Sequence, residues 1–159
     1  MLVQYHPKAN IEKMASGIPL NDADRWDWLI LLRNESLASL EKGARGVVVT
    51  CSALKQKYRD VIRTAKFYDK GPNCKVNFIY LQASKELLLA RVRARQGHYM
   101  KDSMVISQLN SLEPPDEHET QRLKDIACVD VSGTMADVQQ AAMNVVTQVL
   151  SEGTATAQL

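Results

Sequence analysis

The sequence predicts an α/β protein built on a parallel sheet. Strands and helices alternate along the chain, and the predicted strands are short, apolar and rich in β-branched residues, the pattern of strands buried on both faces. No internal repeat, low-complexity segment or composition break divides the 159 residues. Residues 1–150 are therefore read as one domain, with a disordered tail over 151–159.

Taken in order, residues 8–16 read as a short helix stopped by Gly17 and Pro19. In "PLNDADRW", Asn21 or Asp22 caps a longer helix whose acidic first turn suits the positive helix end. Trp28, Leu29, Leu32, Leu37 and Leu40 then recur at helical spacing until "EKGARG" ends the run. Val47, Val48 and Val49 form an unbroken apolar run that predicts the first strand. "SALKQKYRDVIRTA" is helical with a basic side, and "YDKGPNC" is a turn. "KVNFIYLQA" predicts a second strand, and Ser84 caps the helix "KELLLARVRARQ". A loop from Gly97 leads into another helix, broken by Pro114–Pro115. "DIACVDVSG" is the third strand and "MADVQQAAMNVVTQVL" the last helix.

Composition narrows the function classes. The hydrophobic share is 45% and the charged share 24%, both ordinary for a globular protein. Twenty basic against 18 acidic residues leave a net charge of +2. So even a balance predicts no nucleic-acid partner and no membrane partner, and any anion site has to be local. No apolar run approaches the ~18 residues that span a bilayer. "MLVQYHPK" lacks the charged and apolar regions of a signal peptide. Cys51, Cys74 and Cys128 are far apart and form no CxxC pair. They read as free thiols in a reducing, cytoplasmic compartment, with no metal site.

Three clusters carry candidate chemistry. Arg91, Arg93 and Arg95 crowd one helix end, with His98 and Lys101 close behind. Arg91 and Arg95 share a helix face, where two guanidinium forks suit a phosphate. The same pattern also describes a solvated charged face at a helix carboxyl end. In "CSALKQKYR", Ser52 stands at a strand end near a helix start, and Arg59 lies about two turns further on. A helix cap with surface charge explains that stretch equally well. The opening stretch supplies His6, Lys8, Asn10, Asn21, Asp22, Asp24 and Arg25 within twenty residues. A polyol acid needs such a lining, because each bound hydroxyl must be paired. Trp26 and Trp28 read as packing residues. A G-x-S-x-G elbow, an HExxH pair and a dinucleotide glycine fingerprint are all missing from the sequence.

Together "HPKANIEKMASGIPLNDADRWDWL", "VVVTCSALKQKYRDVIR", "FIYLQASKELLLARVRARQGHYMKDSMVISQLNSLEPP" and "VDVSG" resemble, in this order, the segments of the gluconokinase family from His6 to about Leu150. The resemblance implies a P-loop kinase fold of the nucleoside-monophosphate-kinase type, with flanking helices and a helical lid over about 91–113. It implies ATP-dependent phosphoryl transfer to D-gluconate giving 6-phosphogluconate, with ATP and Mg²⁺ as cofactors, and a homodimer as a common family assembly. By motif, His6, Arg25, Ser52, Lys55, Arg59 and His98 would bind the substrate. Arg91 and Arg95 would act on the transferring group and, with Lys101, hold the nucleotide. Such a reaction is mostly positioning and charge neutralisation.

The sequence departs from the family at its start. The strand and G-x-x-x-x-G-K-[ST] loop that open the family's fold have no counterpart in these residues. Two expectations follow. The chain would be a gluconokinase that has lost its N-terminus through a wrong start, a missed exon or a splice form, and inactive alone; the alternative is a non-catalytic remnant that binds gluconate or pairs with an intact subunit. Val47, Val49, Ile79 and Leu81 would lose cover, leaving a marginally stable, association-prone chain. A related P-loop kinase with another acceptor is the remaining alternative.

Overall fold

The computed structural model describes residues 5–67, 74–94 and 102–155. In chain order the helices and strands are α1 (Lys8–Ala15), α2 (Asp22–Glu41), α3 (Gln56–Arg63), β1 (Phe78–Gln82), α4 (Lys85–Ala94), α5 (Asp102–Ser111), β2 (Ile126–Asp130) and α6 (Met135–Ala155). A 3₁₀ turn follows α3 at Thr64–Phe67, and a π-helical turn at His118–Leu123 precedes β2. The chain divides into two compact units, one of residues up to Cys74 with Arg91–Pro114, the other of Lys75–Ala90 with Pro115–Leu159.

The first unit is helical, and local chemistry sets its boundaries. Asn21 Oδ1 accepts from the Asp24 N–H at 2.9 Å while Asp24 Oδ2 accepts from the Asn21 N–H at 3.0 Å. This reciprocal capping box fixes where α2 begins. α1 ends at Gly17, whose φ of +75° costs a glycine nothing. There the Ile18 N–H reaches back to the Lys13 carbonyl at 2.9 Å, a left-handed helix stop. Gly43, at φ +95°, ends α2 in the same way.

Trp28, Leu29 and Leu32 lie on one face of α2 and pack with Leu54 and with Tyr58 and Val61 of α3. Leu29 is fully enclosed, at 0% exposure. Burying a leucine so completely is worth about 1.5–3 kcal/mol. The helix predicted from residue 52 starts instead at Gln56. Ala53 adopts φ +28°, outside the helical region, and the Gln56 N–H donates to Glu113 Oε2 at 2.7 Å. Glu113, just past α5, thus supplies the cap that the local sequence lacks.

In the second unit β1 and β2 pair in parallel, with Phe78 opposite Ile126 through Gln82 opposite Asp130. Ser84 caps α4 as predicted, its Oγ accepting from the Leu87 N–H at 3.2 Å. Thr134 and Asp137 form a capping box at the start of α6.

Two expectations fail. The predicted strand at 47–50 joins no ladder among the described residues. Strand backbone is stabilised by a hydrogen-bonded neighbour, and none of the described residues provides one. Val47, Val48 and Val49 are accordingly 40%, 94% and 43% exposed. The predicted tail is also shorter, because α6 continues to Ala155. Extending an existing helix needs no new nucleus, so a polar last turn still propagates.

Candidate functional site

The capped start of α2 and the start of α3 face one another in the first unit. Between them lies a cavity of about 390 Å³, lined chiefly by Asn21, Asp22 and Arg25 from the α2 end, Lys55 and Tyr58 from the α3 end, and Ser111 from α5. That volume lies in the range of small-molecule sites.

Arg25 is 8% exposed, and its one hydrogen bond among the described residues runs from Nε to the Leu20 carbonyl at 3.4 Å. Its terminal guanidinium nitrogens make no hydrogen bond among the described residues, and a guanidinium so placed suits an anion. Asp22 sits opposite in charge. It accepts from Lys55 Nζ at 2.8 Å, from Lys57 Nζ and from the Tyr58 hydroxyl. The hydrogen bond from Lys55, then those from Lys57 and Tyr58, hold its carboxyl far below the usual range. Burial, then the bond to Asp22, pushes the Tyr58 phenol far up. At neutral pH Asp22 is thus charged and Tyr58 keeps its proton. Lys55 Nζ also stands 5.8 Å from the Tyr58 ring centroid, within reach of a cation–π contact.

The remaining sequence candidates take several positions. His6 stacks on Trp28 with ring centroids 4.1 Å apart and does not line the cavity. Burial, then the positive charge of Arg25, lowers its imidazole below the ordinary value. Arg59 is buried, and its Nη1 donates to the Ala53 and Glu113 carbonyls at 3.2 and 3.0 Å. Ser52 is exposed and outside the cavity lining. Arg91 lies half-buried in α4. Arg93 is engaged by Asp102, with Nη2 at 2.6 Å from Oδ2. Arg95, His98 and Lys101 fall outside the described residues. Much of the polar opening stretch pins α1 to α2: Asn10 donates to the Asp24 carbonyl, and Lys13 pairs with the Asp24 carboxylate, each at 2.6 Å. Sequence reasoning missed Tyr58 and Ser111. Tyr58 follows Lys55 by three residues and so shares its helix face, but that spacing does not reveal its contact with Asp22.

No family model matches the chain. A Schizosaccharomyces pombe protein named "Probable gluconokinase" is 43% identical over 148 residues, spanning 92% of this chain and 73% of that protein. The gluconokinase family is where this chain belongs. The thermoresistant gluconokinase of Escherichia coli is 37% identical over 141 residues, 89% of this chain and 74% of its own. The crystal structure of a gluconokinase from Sinorhizobium meliloti superposes with a TM-score of 0.76 at 32% identity, covering 99% of this chain and 81% of that one. The α/β fold of a P-loop kinase, expected from the sequence, is thereby the fold of this gluconokinase-family chain. No helix among the described residues is long and apolar enough to cross a membrane.

Gluconokinases use ATP, so the donor set has to be tested against a Mg²⁺-bound nucleotide. The 159 residues contain no G-x-x-x-x-G-K-[ST] loop. Among the described residues no group of three or more His, Cys, Asp or Glu could hold a metal ion. The described part of the chain does not by itself fit the nucleotide.

Proposed function

We infer that the cavity between α2 and α3 is the acceptor site of an ATP-dependent gluconate kinase, and that the acceptor's carboxylate docks on Arg25. The observation that supports this most is a buried guanidinium, at the wall of a 390 Å³ cavity, whose terminal nitrogens make no hydrogen bond among the described residues. A planar fork binds a carboxylate through two parallel hydrogen bonds and fixes the rest of the molecule in register. The hydroxyls of a polyol acid then face Ser111, Asn21 and the Asp22–Tyr58 pair, which offer donors and acceptors. Lys55 borders the same space. Arg59 contributes as a positioning residue, tying the 53–55 turn to residue 113. His6 packs behind Trp28, Ser52 keeps the place beside the acceptor that the family motif gives it, and Arg91, Arg95, His98 and Lys101 are assigned by the same motif to closure over the phosphates.

Phosphoryl transfer needs the donor's terminal phosphate held in line with the acceptor hydroxyl and its charge offset. The residues described here orient the acceptor. The nucleotide, with Mg²⁺, would supply the phosphoryl group, held by a phosphate loop that these 159 residues do not include. Gluconate-dependent ADP release tests the reading. The 159-residue chain is expected to turn over only when a family-type N-terminal segment with a phosphate loop is joined to it, and Arg25→Met in the joined protein is expected to lower kcat/KM by at least a hundredfold. Undiminished turnover by Arg25→Met would place the acceptor elsewhere.

A further inference from the structure

Two basic side chains line the cavity, Arg25 and Lys55, and one acidic side chain, Asp22. The arrangement is not a simple basic pocket. Lys55 is already committed to Asp22 at 2.8 Å, and the other Asp22 oxygen is taken by Lys57, which lies outside the lining. The Tyr58 hydroxyl donates to the same oxygen as Lys55 and fixes the carboxylate in place. Among the described residues lining the cavity, Arg25 alone is a cation with no ion-paired carboxylate; its charge reaches Asp24, whose carboxylate is held by Lys13.

We propose that Asp22 is a specificity residue, restricting this cavity to acids that carry a single negative charge. This rests on the acceptor reading above. A monocarboxylate satisfies Arg25 and leaves its neutral hydroxyls for the opposite wall. An acid with a second anionic group would bring that group against the Asp22 carboxylate oxygens, with both Lys55 and Lys57 already committed to them and no free ammonium among the described lining residues to receive it. Specificity of this kind comes from a repulsive element as much as from the attractive one. It would also discourage a sugar acid that already carries a phosphate, and so would favour release of the phosphorylated product.

The test is calorimetric titration of the 159-residue chain with gluconate and with glucarate, the matching dicarboxylate. The wild type is expected to bind gluconate at least tenfold more tightly. Asp22→Asn, which frees Lys55 and leaves two cations facing the cavity, is expected to shift the glucarate-to-gluconate affinity ratio about tenfold toward glucarate. Lys57→Met provides a second variant at an exposed position. It unshields Asp22 and is expected to move the ratio the opposite way. A wild type that binds gluconate, with a ratio that neither variant moves, overturns the proposal and leaves the acceptor reading intact. A wild type that binds neither acid overturns the acceptor reading and this proposal with it.

Discussion

Arg25 illustrates how a residue acquires a role only partly visible in sequence. Its place in "NDADRWDW" marks it as a helix-borne arginine near a cap. Folding buries it and leaves its guanidinium end at a cavity wall with no hydrogen bond among the described residues. Lys55 was legible for the same motif-level reason. Tyr58 was not, because its value comes from α3 meeting the start of α2, a contact 36 residues apart in sequence. His6 carries a pH prediction. Burial, then Arg25, holds its imidazole below its ordinary 6.5. Between those two values the unfolded chain binds a proton that the folded chain refuses, so folding stability rises with pH there. The contribution is complete above about 6.5 and is lost as pH falls toward the folded value. The urea midpoint of the wild type should therefore drop more between pH 7.5 and 5.5 than that of His6→Phe. Parallel curves would show that His6 titrates alike in both states.

At the scale of elements, the helices of the first unit depend on caps and one shared core. Glu113 closes the start of α3 through its carboxylate, while its backbone separately bonds Leu54 and Arg59. Glu113→Ala removes only the side-chain bond and should cost about 1 kcal/mol in urea unfolding. Leu29→Ala opens the fully enclosed centre of the α2–α3 core and should cost about 2–5 kcal/mol by the same measurement. A loss below 1 kcal/mol there would mean that the two helices are not packed as described. Helices with strong periodicity or a side-chain cap, such as α2 and α4, were readable from sequence. The start of α3 was not, since its cap comes from a residue 57 positions away. The strand at 47–50 failed for a related reason: an apolar run states a capacity to pair, and pairing requires a neighbour.

For the whole molecule, the exposed valines at 47–49 present apolar surface of a kind that promotes association. Val48 is 94% exposed, so Val48→Lys should change unfolding free energy by less than about 0.5 kcal/mol while reducing light scattering at high protein concentration. A loss of several kcal/mol would show that Val48 is buried in a sheet after all. The parallel pairing of β1 and β2 and the membership in the gluconokinase family were both legible in the sequence, the first from two β-branched apolar runs and the second from four ordered motifs. The charge arrangement of the cavity was not, because Asp22 reads as a helix-start acid until Lys55, Lys57 and Tyr58 are seen to converge on it. The central claim is that this chain holds the acceptor acid on Arg25. Its most direct test is titration calorimetry of gluconate into the wild type and Arg25→Met. Saturable heat from the wild type, with none from the variant at millimolar gluconate, is the predicted result. Equal heats from both would contradict the account.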